Sequence, residues 1–389
     1  MKNRLRTAHI ITRLDRGGST DNTLYSALFA DKAAFEVFVV SGPTDHPEGA
    51  IQKRARAEGV IFLTINAMGR EINPIRDILA CIKLFSFIKK HRIKIVHTHT
   101  SKAGIVGRIA AFFAYVPAIV HTPHGHVFWG YYSPAFTRLF MITEKICGWL
   151  GHSLVALTQA EKDDYVRLKV EQEKKITIAP SGLELSLYRK TEGAQARATL
   201  GIAHNAFVIG TVARFEKIKN HATLLKAATL LCDRKIDFIW VFVGDGVLLP
   251  GFKKEAQEAG LLQHMIFTGW RDDIPAILPA FDIFVLASLN EGMGRVFVEA
   301  QACGLPVVGS DVCGIANVVK NNKTGILVKP DDSASIAETI GKLHADPELR
   351  KTMGSEALAA IAEEYNVHAM VHGLETLYRD LLMKKMFEE

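Results

Sequence analysis

One pattern constrains this chain more than any other. A short β-branched run ends on glycine, serine, threonine or histidine and passes straight into a helical stretch, over and over. Residues 93–100 (IKIVHTHT) do this before a helix starting near Lys102, and residues 119–126 (IVHTPHGH) repeat the design. Residues 207–213 (FVIGTVA) and 306–310 (PVVGS) do it again in the second half. Strands apolar on both sides belong inside a covered sheet, and an intervening helix makes consecutive strands parallel. The alternation therefore predicts α/β architecture, with ligand groups gathered at the C-terminal ends of strands. At 389 residues the chain outgrows one compact core and suits two domains. Polar sequence over 184–203 reads as the linker.

His9-Ile10-Ile11 reads as the first strand and residues 36–41 as the second. Gly17-Gly18 between strand and helix lets backbone approach a ligand, although the stretch is not G-x-G-x-x-G and implies no ordinary dinucleotide site. A helix over 74–91 carries Ile75, Ile78, Leu79, Ile82, Phe85 and Ile88 on one stripe. A second, over 134–150, carries Phe136, Leu139, Phe140, Ile142, Ile146 and Trp149. Burial in the core is the expectation for that second stripe. An interfacial segment is the alternative, because Arg138 and Lys145 interrupt it. Residues 103–120 hold a single charge, Arg108, and approach the length of a membrane span; Pro117 divides them into a buried helix and a buried strand.

Three clusters point to chemistry. His97 and His99 end one strand, and His121 and His124 end the next. No acidic residue interleaves with them and their spacing matches no zinc pattern, so hydrogen bonding to sugar or phosphate is the better reading. Arg214 and Lys219 follow another strand, where two cations fit a diphosphate, or else form a solvated basic loop. Glu291 stands in the glycine-bearing loop Glu291-Gly292-Met293-Gly294, and Glu299 lies eight residues on, inside a helix. A helix start attracts a phosphate, and a carboxylate accepts hydrogen bonds from a vicinal diol. Phosphate plus diol is what a nucleotide-sugar presents. The pair of glutamates alone also fits two solvated acids.

The full stretch Glu291-x7-Glu299 followed by A-x-A-C-G-L-P-V-V resembles the signature of the retaining family-4 glycosyltransferases of the GT-B fold. The resemblance runs over nearly the whole chain. It takes in His97, His99, Ser101, Lys102, Ala103 and Gly104 as H-x-H…S-K-A-G, and His121, Thr122, His124 and Gly125 as H-T-x-H-G. Arg214 and Lys219 match the family's V-G-R-x4-K-G, with Ala213 in place of its first glycine and Asn220 after the lysine.

The resemblance implies two facing Rossmann-like domains with the active site in the cleft between them. Residues 1–185 would be the acceptor side, 200–365 the donor side, and a final helix over 366–389 would return to the first. It implies transfer, with retained configuration, of a hexosyl or N-acetylhexosaminyl group from a nucleotide diphosphate sugar, with UDP the first guess. The acceptor would be a glycan or a lipid-linked sugar of surface polysaccharide biosynthesis. His124, Glu291, Arg214 and Lys219 would be catalytic. Gly17, Gly18, Gly292, Met293, Gly294 and Glu299 would join Arg214, Lys219 and Glu291 on the donor, and His97, His99, Ser101, Lys102 and His124 would serve the acceptor. No metal or other cofactor is implied, so activity should survive EDTA. A sugar-nucleotide epimerase of the same fold and a non-catalytic nucleotide-sugar binder are the alternatives.

Five cysteines without a C-x-x-C favour a reducing compartment, and the N-terminus reads as a strand, not a signal peptide. Residues 1–185 carry 25 Lys and Arg against 16 Asp and Glu, while the remainder is slightly acidic. That asymmetry asks for an anionic partner. Nucleic acid is disfavoured for want of a recognition motif. An anionic membrane is expected instead, reached by Lys83, Lys89, Lys90, Arg92 and Lys94 with Phe128, Trp129, Tyr131 and Tyr132 beside His124. The protein would then be cytoplasmic and peripheral on the inner face of the membrane.

Overall fold

The β-branched runs form parallel strands, as the alternation requires. The structure is a computed structural model that describes residues 4–126, 128–129, 133–189, 193–361 and 363–388; Tyr131 and Tyr132 lie outside these. The described residues divide into two units, 1–183 with 364–389 and 184–363.

In the first unit the strands are β1 (Leu5–Arg13), β2 (Phe35–Gly42), β3 (Ile61–Thr64), β4 (Ile95–His99), β5 (Ala118–Thr122), β6 (Ser153–Ala156) and β7 (Ile176–Ile178). They lie in the order β3-β2-β1-β4-β5-β6-β7, every pair parallel. The chain winds outward from β1 to β3, then jumps back to β4 and winds the other way. Right-handed crossovers therefore put the helices after β1 and β2 on one face and those after β3, β4 and β5 on the other. The first face buries Leu24, Leu28 and Ala55 together with Met370, Leu374 and Tyr378 of the last helix, Val367–Glu388. The second buries Leu84, Phe87, Val106 and Ala110 against Ile10, Val40 and Val96. Strand β3 escapes the sequence pattern because it is a four-residue edge strand, largely exposed.

In the second unit β8 (Val208–Val212), β9 (Ile239–Val243), β10 (Met265–Gly269), β11 (Ile283–Leu286), β12 (Val307–Ser310) and β13 (Gly325–Val328) take the order β10-β9-β8-β11-β12-β13. Its core stacks Trp240 on Phe242 and Phe242 on Phe267.

Residues 103–120 resolve as expected into a helix, Ser101–Phe113, and strand β5. No described helix is long and apolar enough to cross a membrane. The core expectation for the second stripe is corrected. Helix Pro134–Leu150 turns Glu144, Cys147 and Gly148 inward, while Phe136, Leu139, Ile142, Ile146 and Trp149 face out. Helix Pro74–His91 likewise buries Ala80, Leu84, Phe87 and Ile88; of the stripe read from the sequence only Ile88 is buried. The reason is packing. In the first helix Leu84 and Phe87 fill the space against the sheet, and in the second the inward side meets the buried Arg108 through Glu144.

Candidate active site

Both sheets reverse their winding once, between β1 and β4 and between β8 and β11. Such a reversal opens a crevice at the C-terminal strand ends, where ligands of α/β sheets bind. The residues singled out in the sequence cluster at these two points.

In the second unit the loop after β8 carries Arg214 and Lys219, and the loop after β11 carries Glu291. Leu289 N–H donates to Ile218 O at 2.8 Å, tying the two loops together. Lys219 Nζ reaches Glu291 Oε1 at 2.5 Å, and Ser288 Oγ donates to the same oxygen at 2.7 Å. Gly314 N–H, at the start of helix Cys313–Val318 after β12, donates to Glu291 O at 3.2 Å. Gly314 has no room for a side chain, since a Cβ would lie 2.4 Å from Gly292 O. Close backbone packing thus fixes the loop that presents Glu291.

Gly294 ends this loop at φ 73°, a left-handed conformation that glycine adopts without strain, and caps helix Arg295–Ala302. Within that first turn Phe297 N–H already donates to Gly294 O at 2.8 Å, while the turn has no earlier helical carbonyls to accept its other N–H groups. Glu299, one turn in, is buried and pairs with Arg295 at 3.0 Å. Arg214 is turned to Glu216 at 3.1 Å and is half exposed. So the structure joins Lys219 to Glu291 and Glu299 to Arg295, and keeps Arg214 at the rim. Met293 is buried. Arg295 and Glu299 stand at the i,i+4 spacing of a helical ion pair, which is visible in the sequence.

In the first unit Gly17 caps helix Gly18–Leu28 after β1. Thr12 and Thr100 hydroxyls meet at 3.0 Å across the reversal. Parallel register sets His9 opposite His97 and Ile11 opposite His99, so the three histidines share one side of the sheet. His9 Nδ1 and His99 Nε2 are 2.9 Å apart, and His99 Nδ1 and His124 Nε2 also 2.9 Å. His97 bonds the Tyr378 hydroxyl at 2.6 Å and the Thr122 hydroxyl at 2.7 Å. His121 faces the other side, on Thr98 at 2.9 Å, and its ring fills the space a side chain on Gly104 would need.

His97 and His99 are buried and bonded to protein groups, whereas His124, at φ 61°, is half-buried at the open end of the row. Loss of water around the rings lowers His9 to about 4 and His124 to about 3, and holds His97, His99 and His121 well below the ordinary histidine value. All are neutral near pH 7. A neutral His124 offers a hydrogen bond without adding charge. The side-chain nitrogens of His9, His97 and His99 lie within 4.8 Å of one another, a spacing a metal could use. Yet both His97 nitrogens are taken by hydroxyls and His9 and His99 bond each other, so the set reads as a hydrogen-bonded row.

Ser101 opens helix Ser101–Phe113, and Lys102 turns away to Asp77 at 2.7 Å. Sequence reasoning missed His9, Tyr378 and Glu161. The last accepts Gly125 N–H at 3.1 Å and Leu157 N–H at 2.7 Å, fixing the turn that carries His124, and burial pushes its carboxyl up to about 7.

The family pattern described as Glycosyltransferase Family 4 matches residues 18–187, and that described as Glycosyl transferases group 1 matches 194–360. The UDP-Gal:alpha-D-GlcNAc-diphosphoundecaprenol alpha-1,3-galactosyltransferase of Escherichia coli is 32% identical over 81% of this chain and 83% of its own. The capsular polysaccharide biosynthesis glycosyltransferase CapM of Staphylococcus aureus is 25% identical over 81% and 84%. Among solved structures, HepE of Anabaena in complex with UDP and glucose superimposes with TM-score 0.81 at 22% identity, covering 96% of this chain and 99% of that one. Both halves of the sequence are thus matched by patterns of one family, and the chain belongs to glycosyltransferase family 4: it is a glycosyltransferase of the GT-B fold.

Proposed function

We propose that the protein moves a sugar, with retained configuration, from a UDP-sugar to a lipid-linked or glycan acceptor in bacterial surface polysaccharide synthesis. The observation that carries this is the Lys219–Glu291 pair, held at the winding reversal of the second sheet beside the helix start at Gly294. Lys219, Arg214 and the helix start would take up the charge of the departing diphosphate, a form of preorganised electrostatic catalysis. Glu291, with the backbone of Gly292 and Met293, would accept hydrogen bonds from sugar hydroxyls, and Glu299 from the ribose. Gly17 and Gly18 would let the first unit's backbone approach the donor. His124 would contact the sugar or acceptor hydroxyl as a neutral imidazole. His97 and His99, being buried, would act by holding His124, and Ser101 with Lys102 would shape the acceptor side.

The UDP preference is supported by relatives and neighbours: a UDP-galactose enzyme in E. coli and structures of HepE with UDP and UDP-glucose. The lipid-linked acceptor is supported by the diphosphoundecaprenol substrate in the E. coli relative's name. With such an acceptor the protein would work as a peripheral enzyme on the inner face of the cytoplasmic membrane.

A thermal-shift panel of UDP-, GDP- and ADP-sugars tests the donor, with Lys219→Met as control. Stabilisation by UDP and a UDP-sugar, lost in the variant, is expected; a preference for GDP or ADP would overturn the UDP assignment. Release of an altered sugar nucleotide without acceptor would favour the epimerase.

A further inference from the structure

The outward stripes of helices 74–91 and 134–150 are large apolar side chains in water. Ile75 is 74% exposed and Trp149 67%, with Ile78, Ile82, Leu139 and Ile142 all more than half exposed. Three successive crossovers step the same way along the sheet, so right-handed connection puts helices 74–91, 101–113 and 134–150 on one face of the first unit. The middle helix packs against both others. The two stripes therefore belong to one surface.

The charges on these helices are ordered as well. Arg76, Lys83 and Lys90 recur every seven residues, two turns apart, and so run as a row along the margin of the first stripe. Arg138 and Lys145 repeat that spacing beside the second, and all five are exposed. Each helix holds one carboxylate, and neither faces solvent freely. Asp77 is paired with Lys102 at 2.7 Å, and Glu144 is buried against Arg108 at 2.8 Å. Solvent thus meets apolar stripes flanked by cations with no acid among them. A second copy of this chain is a poor occupant, because a symmetric contact would oppose like charges. A lipid surface of negative charge fits both features, since an interfacial helix inserts its apolar side at the acyl boundary and lays its cations on lipid phosphates.

We infer that this face is a membrane-docking surface: helices 74–91 and 134–150 lie in the headgroup layer of an anionic bilayer with their apolar stripes inserted. It rests on the peripheral placement proposed above and assigns the surface that performs it. The expectation from sequence placed the attachment on lysines and on aromatics near His124. The structure corrects this in part: Phe128 is buried in the core, and the apolar component comes from helices 74–91 and 134–150, the latter a stripe expected in the core.

Flotation of the full chain tests this, with vesicles of phosphatidylcholine alone and with phosphatidylglycerol added, at low and high salt. Binding to the anionic vesicles is expected, reduced but not abolished by salt. The exposed-charge variant Lys83→Gln/Lys90→Gln/Arg138→Gln should weaken low-salt binding at least ~10-fold, each cation near the surface being worth roughly five-fold. Ile78→Ser/Ile82→Ser/Leu139→Ser should remove the salt-resistant part. Thermal shift by UDP should be unchanged in both, which separates a lost surface from a lost fold. The inference falls if anionic vesicles are ignored at low salt, or if the apolar variant floats like the wild type. It also falls if light scattering finds a dimer that the apolar variant dissolves while vesicles go unbound. A wild type that floats but is not shifted by any UDP-sugar would instead overturn the donor reading and leave the docking surface in place.

Discussion

Glu299 carries two roles on one carboxylate. It is the proposed ribose acceptor, and it is also the counter-ion of Arg295, whose side chain is about as buried as its own. Removing one partner of a shielded pair leaves the other charge uncompensated, which costs far more than an exposed pair is worth. Glu299→Ala should therefore weaken UDP-sugar binding at least ~10-fold and also cost about 2 kcal/mol, or roughly 4–8 °C in the melting transition of a unit this size. Arg295→Met/Glu299→Met removes both charges; it should recover most of the stability and none of the binding. Isothermal titration and thermal melting of the two variants separate these effects. A stable Glu299→Ala protein would mean that the Arg295 pairing is without consequence. The Lys219–Glu291 pair follows the same logic at shorter range, since each side chain fixes the other.

Among the elements, the loop 291–294 and the helix it starts do the most with the fewest residues. The helix is only Arg295–Ala302, yet six of its residues are buried, so its axis is fixed by packing against the sheet rather than by its own length. The loop is held from outside by Gly314, whose missing side chain leaves space for Gly292. Gly314→Ala would push a methyl group against backbone, and such overpacking costs typically 1–3 kcal/mol. Turnover should fall further than stability, because the displaced atoms belong to the loop presenting Glu291. Steady-state kinetics with thermal melting checks this. A variant that loses stability but keeps full turnover would show that the position of the loop is not critical.

At the scale of the whole molecule the row of neutral histidines makes the fold sensitive to acid. Unfolding returns each ring to an ordinary value near 6.5, so below that pH the unfolded chain binds more protons than the folded one. Their contribution is therefore present above pH 6.5 and is lost as pH falls toward about 4 for His9 and about 3 for His124. His97, His99 and His121 act in the same direction. Glu161 acts the opposite way: with its carboxyl raised to about 7, its contribution is present in acid and is lost as pH rises through that value. One carboxyl against five imidazoles leaves a net loss on acidification. Melting at pH 5.0 should come roughly 5 °C or more below melting at pH 7.5. Equal melting temperatures would contradict the buried, neutral row.

Local pattern and residue type alone determined a good deal. Alternation of β-branched runs with helices pointed to parallel sheets, because strands apolar on both sides lie inside a covered sheet and an intervening helix returns the chain in the same direction. Polar residues at strand ends, and Glu291 and Glu299 around a helix start, marked the candidate site, because their placement depends on neighbours a few residues apart. What the sequence left open depends on distant partners. Tyr378 meets His97 across 281 positions, and His9 meets His99 only through strand register. The sidedness of helices 74–91 and 134–150 was decided by tertiary packing alone. The side that goes inward is the one that fits the sheet and helix 101–113: Leu84, Phe87 and Ile88 in the first, and Cys147, Gly148 and the Arg108-paired Glu144 in the second.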